Sequence, residues 1–316
     1  MQNLKLRRHT FKRNQKPPSM RLQDRDLEIL RLVADYGVLS SAHIYALLGT
    51  STSGATRRVQ ERLSRLFHNG YLHRPPQQIT LNVYQQVFNS QYGALNSGSH
   101  LIYTITQQGA DMAFLDDPER RQQISWQTQA YKRQFLNLWH ALMVAEFHAT
   151  IAQVDYEKTK TQLRSWKQGE DINQHPPQVK IKGKKGSIKK AIKPDAYFIL
   201  KKGEYVQHFF LEADRSTMTI ARFVEKIKAY WKLWQEKKHA EHFGIGESVG
   251  FRVLTTTISE ARAENLRRAV KEADNGKIGN NMFYFTCAKN IDFTNPESIL
   301  KPIWRTPAGD EYRGIG

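Results

Sequence analysis

Two short acidic motifs, Pro194-Asp195 and Glu212-Ala213-Asp214, are the residues of this 316-residue chain best suited to chemistry. Hard carboxylate oxygens are the ligands that Mg²⁺ or Mn²⁺ takes. A cation held there polarises a phosphate and lowers the pKa of a bound water, the requirements of phosphodiester cleavage. If the chain turns at Lys202-Gly203, antiparallel pairing sets residue 195 opposite about residue 210, and neighbouring strands lie about 4.8 Å apart. Glu212 and Asp214, two apart, share one face of an extended strand. Phe209-Phe210-Leu211 just before them reads as a strand buried on both faces that ends in a polar site. Taken singly, Asp195 is an ordinary turn residue and Asp214 an ordinary helix cap. Together they favour a site, with Asp195, Glu212 and Asp214 as metal ligands.

The elements that must position these carboxylates are legible around them. Ala196 to Leu200 and Tyr205 to Ala213 form a hairpin. A helix runs from Thr217 to about Lys238, with Ile220, Phe223, Ile227, Tyr230 and Trp234 on one face. A strand (Val249 to Thr255), a helix (Ser259 to Ala273) and a strand (Met282 to Cys287) follow. A long helix from Tyr131 to Val154 precedes them. Glu146 on it is a further candidate metal ligand. His140 shares a stripe with Leu136, Met143 and Phe147 and reads as a core histidine, and Trp231 and Trp234 read as core in preference to base-stacking residues. Between Glu157 and Lys193 no helical stripe exists. Lys180, Lys182, Lys184, Lys185, Lys189, Lys190 and Lys193 crowd its end, predicting a basic loop or ragged hairpin. Such lysines steer a DNA backbone without reading sequence, or are simply solvated.

The first third of the chain carries a different pattern. Residues 21–37 read as a helix that Gly37 stops. Ser40 and Ser41 are caps for a short second helix closed by Gly49. A third helix runs from Ala55 to Asn69 and ends at Gly70. Tyr71-Leu72 begins an extended segment. Near-alternating Ile79, Leu81, Val83 and Val87, a polar Asn89–Gly98 loop, and alternating Leu101, Tyr103 and Ile105 then read as a wing. Thr106 caps a small helix to Leu115. This is the order of a winged helix-turn-helix. On the third helix Val59, Leu63, Leu66 and Phe67 face a core, while Arg57, Arg58, Arg62 and Arg65 fall on the other side. A recognition helix meets the major groove through such a face, and the arginine fork suits guanine edges and phosphates. Arg74 joins this basic set, since residues 1–74 hold 14 Lys/Arg against 5 Asp/Glu.

The whole chain has 48 Lys/Arg and 30 Asp/Glu, a formal net charge of +18, which favours a polyanionic partner through counterion release. A single cysteine, Cys287, excludes an intrachain disulfide and a cysteine zinc cluster and agrees with a reducing cytoplasm. No apolar run has the roughly 20 residues of a bilayer-spanning helix, so no membrane partner is expected. Met1 to Met20 is basic, lacks a signal-peptide apolar core, and reads as a flexible arm.

The order helix, hairpin, strand, helix, strand, with Asp195 and then Glu212-x-Asp214, resembles the PD-(D/E)XK restriction-nuclease fold. Over about residues 21–305 the chain resembles the replication-relaxation family of plasmids and mobile elements. The matching residues are Arg25-Asp26-x-x-Ile29-Leu30, Tyr103-x-Ile105-Thr106-x-x-Gly109, His140, Pro194-Asp195, Glu212-Ala213-Asp214-Arg215 and Lys226-x-x-x-Tyr230. The resemblance implies a role in handling plasmid or element DNA. One position departs from the nuclease pattern: Asp214 stands where the fold usually has lysine. Lys226 or Lys228 on the next helix is the candidate replacement, with Lys226 about three turns from Asp214.

The expected architecture is therefore α/β (α+β). It comprises a basic arm (1–20), a winged helix (21–116), a linker (117–130), a PD-(D/E)XK-like domain (131–305) and a tail (306–316). The preferred function is duplex DNA binding by the first domain with Mg²⁺- or Mn²⁺-dependent cleavage or nicking by the second. Asp195, Glu212, Asp214 and Lys226 are the catalytic set, and Arg57, Arg58, Arg62, Arg65, Arg74, Lys182, Lys184, Lys185, Lys189 and Lys190 the DNA-binding set. Other proteins of the same element and a second copy of the chain are further partners. The alternatives are a non-catalytic DNA-binding factor or transcriptional regulator, and a module whose wing contacts protein.

Overall fold

The computed structural model describes residues 11–50, 52–76, 101–122, 124, 135–183, 186–273 and 281–316. The chain divides into two compact units, Met1–Ala149 and Thr150–Gly316.

In the first unit, helix α1 (Asp24–Tyr36) opens on a capping box in which Asp26 accepts the Gln23 backbone N–H at 2.8 Å. It buries Ile29, Leu30, Val33 and Ala34 and ends at Gly37, whose φ of 75° is the left-handed conformation that glycine adopts without strain. A short strand, β1 (Val38–Ser40), follows, and Ser40 then caps α2 (Ser41–Leu47) by accepting from the His43 N–H at 3.2 Å. Thr52 caps α3 (Ser53–His68), which buries Val59, Leu63, Leu66 and Phe67. Strands β2 (Leu72–His73) and β3 (Ile102–Ile105) complete an antiparallel sheet in the order β1-β3-β2, with Leu39 opposite Tyr103 and Leu72 opposite Ile105. The expected strand through Ile79 to Val87 and the Asn89–Gly98 loop lie outside the described residues.

Helix α4 (Gln107–Ala113) explains why Thr106 and Gly109 stand where they do. Thr106 Oγ1 accepts the Gly109 N–H at 3.0 Å and donates to the carbonyls of Gly70 and Tyr71. A Cβ on Gly109 would stand 2.1 Å from the Tyr71 carbonyl oxygen, so only glycine lets α4 approach this closely.

Residues 11–20, expected to belong to a flexible arm, are tied down. Arg13 donates to the carbonyls of Phe67 and Leu72 at 2.9 and 3.1 Å, and Asn69 donates to Pro18 O at 3.0 Å. Cationic side chains satisfy the open carbonyls at a helix C-terminus, which fixes this segment on the end of α3. Helix α5 (Phe135–Ala152) lies within the span expected for the long helix.

The second unit is built on a seven-stranded mixed sheet in the order β12-β11-β10-β9-β8-β7-β4. Its strands are β4 (Thr161–Gln168), β7 (Ala196–Lys202), β8 (Tyr205–Asp214), β9 (Phe251–Thr257), β10 (Phe283–Cys287), β11 (Trp304–Arg305) and β12 (Tyr312–Arg313). β5 (Gln178–Gly183) and β6 (Gly186–Ala191) pair separately as a hairpin. Parallel pairs need crossovers. Helices α6 (Ile220–Gln235) and α7 (Lys238–Phe243) connect β8 to β9, and α8 (Glu260–Glu272) connects β9 to β10. The core between sheet and helices contains Tyr197, Phe210, Phe223, Ile227, Tyr230, Val253, Leu266 and Phe283.

Three features differ from expectation. Strand β4 lies in the stretch that showed no helical pattern. It pairs with β7 as an edge strand and carries a bulge between Leu163 and Ser165, which blurs its alternation. The residues expected as a tail enter the fold: β12 pairs with β11, Thr306 and Ile315 are buried, and Ile315 N–H bonds the Leu300 carbonyl at 3.2 Å. The basic segment is a regular hairpin, with Val179, Ile181 and Ile188 on the side packed against the core.

Candidate functional site

The β7–β8 register brings the acidic motifs closer than the estimated turn implied. Ala196 pairs with Leu211, and the Asp195 N–H bonds the Leu211 carbonyl at 3.0 Å, so Asp195 stands at the level of Glu212. Asp195 Oδ2 also accepts the Ala213 N–H at 2.7 Å. Glu212 and Asp214 follow on β8, in register with Thr255 and Thr257 of β9. Thr219 caps α6 and sets the helix so that its second turn faces the end of β8.

From that turn Lys226 makes an ion pair with Glu212 Oε2. Tyr230, one turn further along the same face, donates to Glu212 Oε1 at 2.5 Å. Glu212 is 4% exposed, and burial pushes its pKa up to about 7. The Lys226 ammonium and the Tyr230 hydroxyl oppose that rise, and the nearby Asp195 carboxylate adds to it. Burial acts to depress Lys226, but Glu212, Asp195 and Asp214 outweigh it and hold the ammonium above its ordinary range. Tyr230 is raised by burial and by Glu212, and so keeps its proton. The result is one ammonium shared among carboxylates, with Glu212 able to exchange a proton near neutrality.

Asp214 is held differently. Arg262 of α8 donates to it from Nε at 2.6 Å and from Nη2 at 3.4 Å, and reaches on to the Met218 carbonyl. The Ser216 N–H supplies a third bond to Asp214 at 3.2 Å. Asp214 is thus a turn-forming residue tied to α8, and it does not cap α6. Consistent with that, among the described residues no group of three or more His, Cys, Asp or Glu side chains could hold a metal ion. The three carboxylates sit at one end of the hairpin without converging on a single point. Asp195 and Glu212 stand level with each other at the end of the paired strands, and hard carboxylate oxygens of this kind are what a divalent cation takes. Mg²⁺ takes one or two carboxylates and completes its shell with water and substrate phosphate, so a pair of carboxylates meets its need for protein ligands. Glu146 is buried on α5 in the first unit, and Lys228 on α6 is half-buried.

The basic residues expected to meet DNA separate into two groups. On α3, Arg57, Arg58 and Arg65 are exposed, and Arg57 makes only a surface pair with Glu61 at 3.4 Å. Arg62 turns inward to the buried Asp26 and also donates to the Arg21 carbonyl at 3.0 Å, tying α3 to α1. Arg74 is buried, its guanidinium 4.1 Å from the Phe67 ring centroid. On the hairpin, Lys180, Lys182 and Lys189 are exposed, with Lys180 directly opposite Lys189. Lys190 is half-buried against Glu225 of α6 at 3.1 Å, and Lys184 and Lys185 lie outside the described residues.

Sequence reasoning missed Arg262 and the part played by Tyr230. The i, i+4 spacing of Lys226 and Tyr230 was a usable signal for the second. Nothing local marks Arg262 among the charged residues of α8.

Comparison with known proteins supplies the family. The replication-relaxation family matches residues 30–249, and the chain belongs to that family. Membership points to a role in the replication or relaxation of plasmid or mobile-element DNA. No curated protein and no solved structure matches the chain. No helix among the described residues is long and apolar enough to cross a membrane.

Proposed function

We propose that the chain binds duplex DNA of a plasmid or mobile element through a winged helix in its first unit, and nicks or cleaves it with a PD-(D/E)XK-like second unit. The observation that carries this reading is the Asp195–Glu212–Lys226 cluster at the end of paired strands. A helix-borne ammonium there replaces the lysine that the strand lacks at Asp214. In the first unit the reading rests on the exposed face of α3. Arg57, Arg58 and Arg65 meet the DNA, while Arg62 and Arg74 hold the scaffold. Lys180, Lys182 and Lys189 guide the backbone. Other proteins of the same element, a second copy of the chain and a cytoplasmic setting accompany this reading.

Asp195 and Glu212 are the residues that would hold Mg²⁺ or Mn²⁺. A bound cation supplies Lewis-acid polarisation of the phosphate and a more acidic water. Lys226 balances the carboxylates and, on this reading, contacts a non-bridging phosphate oxygen. Tyr230 fixes the orientation of Glu212 through its hydroxyl. Glu212, with a pKa near 7, can take or give a proton at neutral pH. The test is nicking of supercoiled plasmid with Mg²⁺ or Mn²⁺, against an Asp195→Ala/Glu212→Ala variant.

A second reading has its own observation. Arg262 occupies Asp214, and Lys226 and Tyr230 occupy both oxygens of Glu212. On that reading the second unit is a DNA-binding factor whose carboxylates serve the fold, and duplex binding is indifferent to the divalent cation.

A further inference from the structure

Helix α6 presents an aromatic pair that the carboxylate cluster does not use. Trp231 and Trp234 stack with ring centroids 5.1 Å apart and planes inclined by 25°. Trp231 packs against the core, but Trp234 is 38% exposed, so the indole expected in the core offers its outer face to solvent. An indole left in water forgoes the large burial that usually places tryptophan. Lysines surround the pair. Lys228 stands one helical turn before both Trp231 and Lys232 and has no ion-pair partner among the described residues, while Lys232 makes only a 3.8 Å pair with Glu236. The same helix seats the β5–β6 hairpin. Val179, Ile181 and Ile188 pack into the core cluster that holds Ile227 and Tyr230, Lys190 bonds Glu225, and Lys238 donates to the Gln178 carbonyl at 2.8 Å. On the outer side of that hairpin Lys180 directly faces Lys189. Like charges opposite one another destabilise a strand pair, and a polyanion relieves that repulsion.

We propose that the Trp231–Trp234 stack with Lys228 and Lys232 is a platform on which the bases of an unpaired nucleic-acid strand stack, while the hairpin lysines follow its phosphates. Aromatic faces accept any base, and the affinity is insensitive to sequence. A duplex keeps its bases paired and stacked and offers nothing to the outer indole face, so the platform separates single strands from the duplex bound by α3. The inference is independent of whether the carboxylates cut.

The experiment titrates the full chain, in EDTA, into fluorescently labelled oligo(dT), oligo(rU) and duplex DNA of about 20 nucleotides, read by anisotropy; stacking on one aromatic residue is worth about tenfold in affinity. Trp234→Ala should weaken oligo(dT) binding by about that factor and leave duplex affinity and the melting temperature unchanged. Trp234→Phe should keep most of the single-strand affinity. An equal loss for oligo(rU) fits a platform that reads bases and not sugars, and a loss for one strand type alone names which strand it takes. Wild-type protein that does not bind oligo(dT) or oligo(rU), or a Trp234→Ala protein that binds them as wild type does, overturns the proposal. So does a loss shared equally with duplex. Because no cation is present, failure here and failure of the nicking reading are separate results.

Discussion

Lys226 reaches from the second turn of α6 to Glu212 at the end of β8, an ion pair that ties the helix to the sheet. The pair has a measurable consequence in pH. Burial raises Glu212 from 4.5 in the unfolded chain to about 7 in the folded one. A raised carboxyl contributes stability that is complete below its unfolded pKa and is lost as pH rises through its folded pKa. Lys226 stays charged across that window. Chemical denaturation from about pH 4.5 to about pH 8 should therefore show wild type losing stability relative to Glu212→Gln, by an amount of order 3 kcal/mol. A constant difference between the two proteins would contradict the burial of an ionising Glu212.

Gly109 gives a sharper steric test. Its missing Cβ is what lets α4 lie on the Tyr71 carbonyl, where a methyl group would stand at 2.1 Å. Gly109→Ala should cost about 1–3 kcal/mol through overpacking, seen as a lower urea midpoint. An unchanged midpoint would mean that α4 can shift without penalty.

The arginines of α3 should divide by role. Asp26 is fully buried against Arg62, and removing one partner of a buried pair costs about 3–5 kcal/mol. Arg62→Ala is therefore expected to lower stability. Arg65→Ala, at an exposed position, should change stability by less than about 0.5 kcal/mol. It should nonetheless reduce the salt dependence of duplex binding by about one phosphate contact. Denaturation and gel shift on the same two variants check both halves.

Much of the fold was legible because its signals are local. Caps at Ser40, Thr106 and Ser259, stops at Gly37 and Gly70, and the 3.6-residue stripes of α1, α3 and α6 all lie in short windows of sequence. The β7–β8 hairpin was legible from its turn, and only its register moved, by two residues. The strands that escaped notice are those stabilised from a distance. β1 is three residues long and exists through its pairing with β3, β4 is a bulged edge, and β12 is held by β11 and by the burial of Ile315. At the candidate site the types of Asp195, Glu212, Asp214 and Lys226 could be read directly, because chemistry depends on type. Their partners could not. Arg62 and Arg65 are both arginines on one helix, and only the position of Asp26, 36 residues earlier, turns one inward. Arg262 reaches Asp214 across 48 residues of sequence with no periodicity linking them.

The central claim is tested most directly by incubating purified protein with supercoiled plasmid in Mg²⁺ or Mn²⁺, beside the Asp195→Ala/Glu212→Ala variant, with binding followed by gel shift in the same samples. The account predicts open-circular or linear product from wild type alone while both proteins shift the DNA. Binding by both with no product from either would contradict catalysis by this cluster and leave the chain a DNA-binding member of its family.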